Sequence, residues 1–161
     1  VMASGRDHDR ATCLSCLPFG LLLGVLLGHW CGLIGAVAFF VGGLWLSPDL
    51  DTHSNALRRW GPLAFLWWPY RRLLRHRSVW SHGPLLGTIG RLSLLTAWLW
   101  SLLAVIPGAD WNTFWSSAIQ WFNAQPQQAV AMLVGLEASV WLHLILDGDP
   151  LPVEWNRSRR Q

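Results

Sequence analysis

The sequence predicts an all-α integral membrane protein: a four-helix bundle with interfacial helices and a polar metal-site region at its cytoplasmic face. Three observations carry that reading. Apolar residues make up 52% of the chain and charged residues only 13%, against roughly 25% charged in an ordinary soluble protein. Thirteen Trp accompany a single Tyr, as in interfacial aromatic belts. Long apolar runs alternate with short stretches that collect Arg, Asp and His. Such charges beside a membrane are costly unless paired, so their accumulation needs a reason. The 161 residues make one domain's worth of chain, read as a single membrane domain over residues 1–161.

The N-terminal arm is polar, Ser4-Gly5-Arg6-Asp7-His8-Asp9-Arg10, and without a small-residue cleavage site no signal peptide is read there. Residues 12–46 are almost wholly apolar, too long for one span of about 20 residues and short for two. His29-Trp30-Cys31-Gly32 is the natural break, predicting spans over 12–28 and 32–46. Gly20, Gly24, Gly28 and Gly32 recur at every fourth position, a groove that admits a neighbouring helix. Cys13 and Cys16 form a lone CxxC and Cys31 makes the cysteine count odd, so they read as small apolar residues of a helix.

Residues 47–83 organise the rest. The stretch opens with Ser47-Pro48-Asp49-Leu50-Asp51-Thr52-His53 and closes with His76-Arg77-Ser78-Val79-Trp80-Ser81-His82-Gly83. Between these ends Leu63, Phe65, Trp67 and Trp68 mix with Arg58, Arg59, Arg71, Arg72 and Arg75, while Pro62 and Pro69 forbid one continuous helix. Short interfacial pieces result, their arginines snorkelling to headgroup phosphates. A third span is predicted over 85–106, closed by Pro107-Gly108. Trp111, Trp115, Trp121 and Phe122 then recur at helical spacing, an interfacial helix on the far side. The fourth span covers 128–146, and 150–161 is a polar, basic tail.

All twelve basic residues are Arg. They lie in the N-terminal arm, in the central stretch with its edge at Arg91, and in the tail; the break at 29–32 and residues 107–127 hold none. Under the positive-inside rule both termini and the central stretch are cytoplasmic, which requires an even number of crossings. Interleaving of Arg with Trp and Leu fits lipid headgroups, so no nucleic-acid partner is expected despite a net charge of +3.

On this topology the polar clusters fall at the same end of every span. His8 precedes the first, Asp49 and Asp51 follow the second, His76 and His82 precede the third, and His143 and Asp147 end the fourth. Imidazole and carboxylate are the ligands that zinc prefers, and carboxylate also suits manganese or magnesium. His143 and Asp147 are one helical turn apart on one face, with Ser139 extending the stripe inward. Asp49 and Asp51 are expected to point the same way from an extended turn after Pro48. Glu137 lies off the stripe and reads first as an interhelical hydrogen-bond partner, with a proton-handling or ligand-supporting role as the alternative.

These residues carry a resemblance. Ser4-Gly5-Arg6-x-His8-Asp9-Arg10, Ser47-Pro48-Asp49-Leu50-Asp51, Arg59-Trp60-Gly61-Pro62-Leu63, Trp68-Pro69-Tyr70, His76-Arg77-Ser78-x-x-Ser81-His82-Gly83 and Gly87-Thr88 look like the uncharacterised metal-binding membrane proteins common in cyanobacteria. The Pro-Asp-x-Asp, His-Arg-Ser-x-x-Ser-His and His-x-x-x-Asp patterns are also similar to a broader group of inner-membrane, metal-dependent hydrolases. The resemblance implies His8, Asp49, Asp51, His76, His82, His143 and Asp147 as metal ligands. Asp7 stands where Thr is expected.

This donor set exceeds what one zinc needs, since a catalytic zinc takes three protein ligands and a water. Two divalent ions are therefore expected, with Asp49 or Asp51 bridging, and Arg77 placed to hold a phosphate. The functional expectation is a membrane-embedded, metal-dependent hydrolase of phosphoesters or lipid headgroups at the cytoplasmic interface of a bacterial plasma or thylakoid membrane. Asp49, Asp51 and Arg77 are its expected catalytic residues. The alternative is a non-enzymatic, metal-stapled membrane scaffold.

Overall fold

The computed structural model describes residues 3–108 and 110–148; the tail at 150–161 lies outside the described residues. Of the described residues 81% are helical, and none is in a strand. Its α-helices are α1 (Gly5–Leu27), α2 (His29–Leu44), α3 (Asn55–Arg59), α4 (Trp68–Leu73), α5 (Val79–His82), α6 (Leu86–Leu103), α7 (Trp111–Ala124) and α8 (Pro126–Leu146). Turns of 310 helix cover Pro48–Asp51 and Gly61–Trp67, the latter in the proline-punctuated stretch. Four segments are long and apolar enough to cross a membrane: Gly5–Leu27, His29–Asp51, Leu86–Leu103 and Pro126–Leu146.

The first helix starts at Gly5, before the apolar run begins. Ser4 and Asp7 form a capping box: Ser4 Oγ accepts the Asp7 N–H at 3.3 Å and the Asp7 carboxylate accepts the Ser4 N–H at 2.9 Å. The polar arm is thereby helical, and its inner face carries His8. The break falls at Gly28, whose φ of +94° suits glycine, so His29–Gly32 form the first turn of α2 instead of a loop.

Three of the four spaced glycines work as a seam. A Cβ on Gly32 would meet Gly20 O at 2.6 Å and Gly24 Cα at 2.7 Å, backbone that cannot give way. Gly28 makes the turn instead. On the other flank of α2, a Cβ on Gly135 of α8 would meet Gly35 O at 2.4 Å. Ser139 fits against Gly42 and returns its hydroxyl proton to Leu136 O at 2.6 Å. It packs there, one turn inward of His143, and is not among the clustered donors. α1, α2 and α8 thus form one close-packed unit.

The central stretch wraps round the end of α2. Leu50, Ala56, Leu57, Trp67 and Tyr70 make its core. Arg59 Nη1 donates to Leu44 O at 3.0 Å and Trp60 Nε1 to Trp45 O at 2.9 Å. Those bonds satisfy carbonyls that the end of α2 leaves open. α3 is also tied to α1, where the Asp9 carboxylate pairs with Arg59 at 2.5 Å and accepts from Asn55 at 3.1 Å. α6 buries only Gly87 and Arg91, and α7 has no buried residue. Arg91 is not an edge residue of the central stretch: it lies within α6, 1% exposed.

Candidate metal centre

Asp49 and Asp51 enter the site from the 310 turn that follows α2. Ser47 caps that turn, its hydroxyl accepting the Asp49 N–H at 3.4 Å, and Pro48 presets the helical φ. The extended turn expected from the sequence is therefore wound. At three residues per turn the two carboxylates leave the backbone in different directions. They approach His82 from two sides: Asp49 Oδ1 lies 3.5 Å from Nε2, and Asp51 Oδ2 lies 3.4 Å from Nδ1.

His76 and His82 bracket α5. Ser78 caps this single turn by accepting the Ser81 N–H at 3.3 Å, which folds His82 back under His76. Their rings stand at 85° with centroids 5.0 Å apart, and His76 Nδ1 is 2.9 Å from Asp51 Oδ1. His76 lies at the mouth with 46% of its side chain exposed, whereas Asp51 has none. Arg77 takes a positive φ of 59° between them.

The remaining donors come from α1 and the end of α8. The His8 and His143 rings stack at 4.0 Å. Asp147 Oδ1 lies 3.0 Å from His8 Nε2, and its Oδ2 lies 3.5 Å from His143 Nε2 and 3.6 Å from Arg77 Nη2. His143 Nε2 is also 3.5 Å from Asp49 Oδ1, the same oxygen that faces His82. Two groups result, Asp49–Asp51–His76–His82 and His8–His143–Asp147, within each of which donor atoms lie within 4.8 Å of one another. Asp49 stands between them. All seven sequence-predicted donors are brought together, and Arg77 lies on their edge.

The donor set suits a cation. His82 Nε2, His143 Nε2, His8 Nδ1 and Asp51 Oδ2 are buried without a hydrogen-bond partner. Buried lone pairs without partners are destabilising, and convergent imidazole and carboxylate lone pairs are what a borderline divalent ion satisfies. Burial pulls the His82 imidazole down, but the Asp49 and Asp51 carboxylates that face it carry it above its ordinary value. Burial pushes the Asp147 carboxyl up, yet the His8 hydrogen bond and nearby imidazoles hold it below the usual carboxylate range. Paired this way, the groups keep the deprotonated carboxylates that ligation requires.

Three polar residues escaped sequence reasoning or were only partly read. Ser81 touches His82 Nδ1 at 3.0 Å, Arg91 donates to the Ser81 carbonyl at 2.9 Å, and Glu137 binds Thr88 at 2.8 Å. A lone Arg inside an apolar run was the signal that marked Arg91. The interhelical role read for Glu137 agrees with its bonds to α6. His53 pairs with Arg71 at 2.6 Å and is not among the clustered donors. Cys16 donates to Cys13 O at 3.3 Å, and all three cysteines are free.

A helical protein with four span-length apolar segments and two adjoining clusters of imidazole and carboxylate defines the class. The chain belongs to the family described as "Uncharacterized metal-binding protein (DUF2227)", which matches residues 3–159. It is similar to an uncharacterized protein of Aquifex aeolicus, 43% identical over 60 residues, 37% of this chain. That match spans 42% of the relative's length. No solved structure matches the chain.

Proposed function

We propose that this protein is a membrane-embedded hydrolase of phosphoesters or lipid headgroups that uses two divalent ions, zinc by preference, at the cytoplasmic interface. The observation that carries the reading is Asp49 Oδ1, 3.5 Å from an imidazole nitrogen of each group. A carboxylate so shared is what a two-ion centre needs for its bridge, and His8, His143 and Asp147 make a three-donor set of the kind catalytic zinc uses. Bound there, such ions would activate water and stabilise the leaving oxygen. Asp51 orients His76 and His82, and Arg77 supplies a guanidinium suited to two phosphate oxygens. Apolar side chains exposed along α1, such as Leu14, Leu17, Leu21 and Val25, would face lipid. The arginine distribution supports a topology with both termini and the metal centre on the cytoplasmic side, in a bacterial plasma or thylakoid membrane.

The test has two arms. Asp49→Asn should leave a folded protein that has lost hydrolysis of a phosphoester and phospholipid panel with zinc or manganese added. No hydrolysis by the unmutated protein would leave the second reading, a metal-stapled scaffold. What favours that reading is the origin of the donors: α1, the turn after α2, the loop before α5, α5 itself and the end of α8 each contribute. A C-terminal reporter active only outside the cytoplasm would sink the topology.

A further inference from the structure

Beside the metal centre lies a second polar cluster, built round the buried Arg91, that contains none of its donors. Arg91 is 1% exposed on α6, a helix with few other buried residues. A guanidinium has no apolar reason to be there, and burying a charge is costly unless it is paired and hydrogen-bonded. Arg91 Nη1 donates to Ser81 O at 2.9 Å and Nη2 to Thr88 Oγ1 at 3.2 Å. The Thr88 hydroxyl in turn donates to Glu137 Oε2 at 2.8 Å. Glu137 Oε1 accepts the Leu85 N–H at 2.9 Å.

Each end of this lattice grips something that needs gripping. Leu85 has φ +61° and ψ −55° in a turn closed by Leu86 N–H to Pro84 O at 2.7 Å, a conformation rare and strained for a residue with a side chain. Glu137 holds that turn from α8. At the other end, Ser81 immediately precedes His82. The Ser81 hydroxyl donates to Arg75 O at 3.1 Å, so its oxygen is left to accept from His82 Nδ1 at 3.0 Å. That tautomer leaves the unpartnered His82 Nε2 as the lone-pair nitrogen facing Asp49. Tyr70 adds a second donor to Ser81 O at 3.4 Å. Gly87 makes the approach feasible, since a Cβ there would lie 2.6 Å from Ser81 O.

The two donor groups ride on different elements: His82 on α5, and His143 with Asp147 at the end of α8, the helix that carries Glu137. α6 and α8 otherwise touch little. We propose that Arg91, Thr88 and Glu137 are positioning residues of the metal centre, a hydrogen-bonded lattice round the buried Arg91 that sets α5 against α8 so that both donor groups reach Asp49. This rests on the metal reading of the cluster and is independent of hydrolysis.

The experiment is a Co2+ titration of the full chain in detergent after chelator treatment, read by visible absorption and by bound metal per chain. Thr88→Val keeps the shape and removes the hydroxyl; Thr88→Ser keeps the hydroxyl. Thr88→Val should weaken Co2+ binding at least tenfold and alter the ligand-field bands, with Thr88→Ser matching the unmutated protein. Glu137→Gln should weaken binding in the same direction, and it decides the matter where Thr88→Val does not fold. A purely structural role would lower the melting temperature and leave affinity and bands unchanged. Folded variants with unaltered affinity and spectrum, or a Thr88→Ser protein as weak as Thr88→Val, would overturn the proposal. An unmutated protein that takes up no Co2+ would overturn the metal reading itself, a separate result because it appears before any variant is compared.

Discussion

In α1, α2 and α8 the helices touch through backbone, whereas from residue 47 to the end of α6 they touch through rings, guanidinium groups and carboxylates. Gly20, Gly32 and Gly135 bring the first set together at distances that exclude even a methyl group. The second set is built of short pieces interrupted by proline, which present no long face for such a seam. Trp60, Arg59, Trp98 and Arg91 instead reach for backbone carbonyls, at 2.9 to 3.0 Å. Close packing positions an element along its whole length; a hydrogen bond positions one point. The candidate metal centre stands where these two regimes meet. His8, His143 and Asp147 come from the packed set and His76 and His82 from the bonded one, with Asp49 and Asp51 on the turn that passes between them.

Removing a donor at this junction should produce the largest change. His82→Ala removes one of the two imidazoles beside the fully buried Asp51 carboxylate and leaves only the half-exposed His76. It should lower stability by about 3–5 kcal/mol, the scale for breaking a buried pair. Unfolding in detergent measures that loss, and elemental analysis should show metal content falling in parallel, as for His76→Ala and His143→Ala. Full metal occupancy in all three proteins would refute a shared centre.

The glycine seam should come next. Gly32→Ala should cost about 1–3 kcal/mol of stability, since its Cβ meets only backbone, as overpacking does elsewhere. Gly24→Ala is the contrast: its Cβ meets Gly32 Cα at an ordinary 3.7 Å, so thermal unfolding should move little. Equal effects at both positions would break the account of the packed set.

A pH series should separate the metal-free from the metal-loaded protein. The His82 pKa is raised in the folded state, so in chelator its pairing with Asp49 and Asp51 stabilises fully below about 6.5, the unfolded value. That contribution should fade as pH rises through the higher folded value. With metal bound the sign reverses, because ligation needs neutral imidazole, and stability should fall as pH drops below about 6.5. Melting temperatures from pH 5 to 9, with and without chelator, read both slopes. Parallel curves would count against ligation by His82. The smallest effect belongs to Arg72→Ala, which removes a cation–π contact of 5.6 Å to Trp68. It should cost no more than about 0.5–1 kcal/mol and leave metal content unchanged.

Composition and hydropathy by themselves determined the helical class and the four span-length segments, because a run of apolar side chains is a local property. Residue type and order determined the donor set as well: His8, Asp49, Asp51, His76, His82, His143 and Asp147 each lie at a corresponding end of an apolar run. The rest depended on torsions and contacts that no local pattern contains. Hydropathy has no means of telling Gly28 from the four residues after it, since all lie in one apolar stretch; the positive φ at Gly28 chose the turn. The sequence expectation of an extended turn after Pro48 failed because the Ser47 cap wound that segment into a 310 turn. Of the polar residues outside the donor set, only tertiary structure decided that His53 turns to Arg71 while Arg91 is drawn inward. A buried charge is stable only where partners from other elements meet it, and Ser81, Thr88, Tyr70 and Glu137 come together only once the chain has folded.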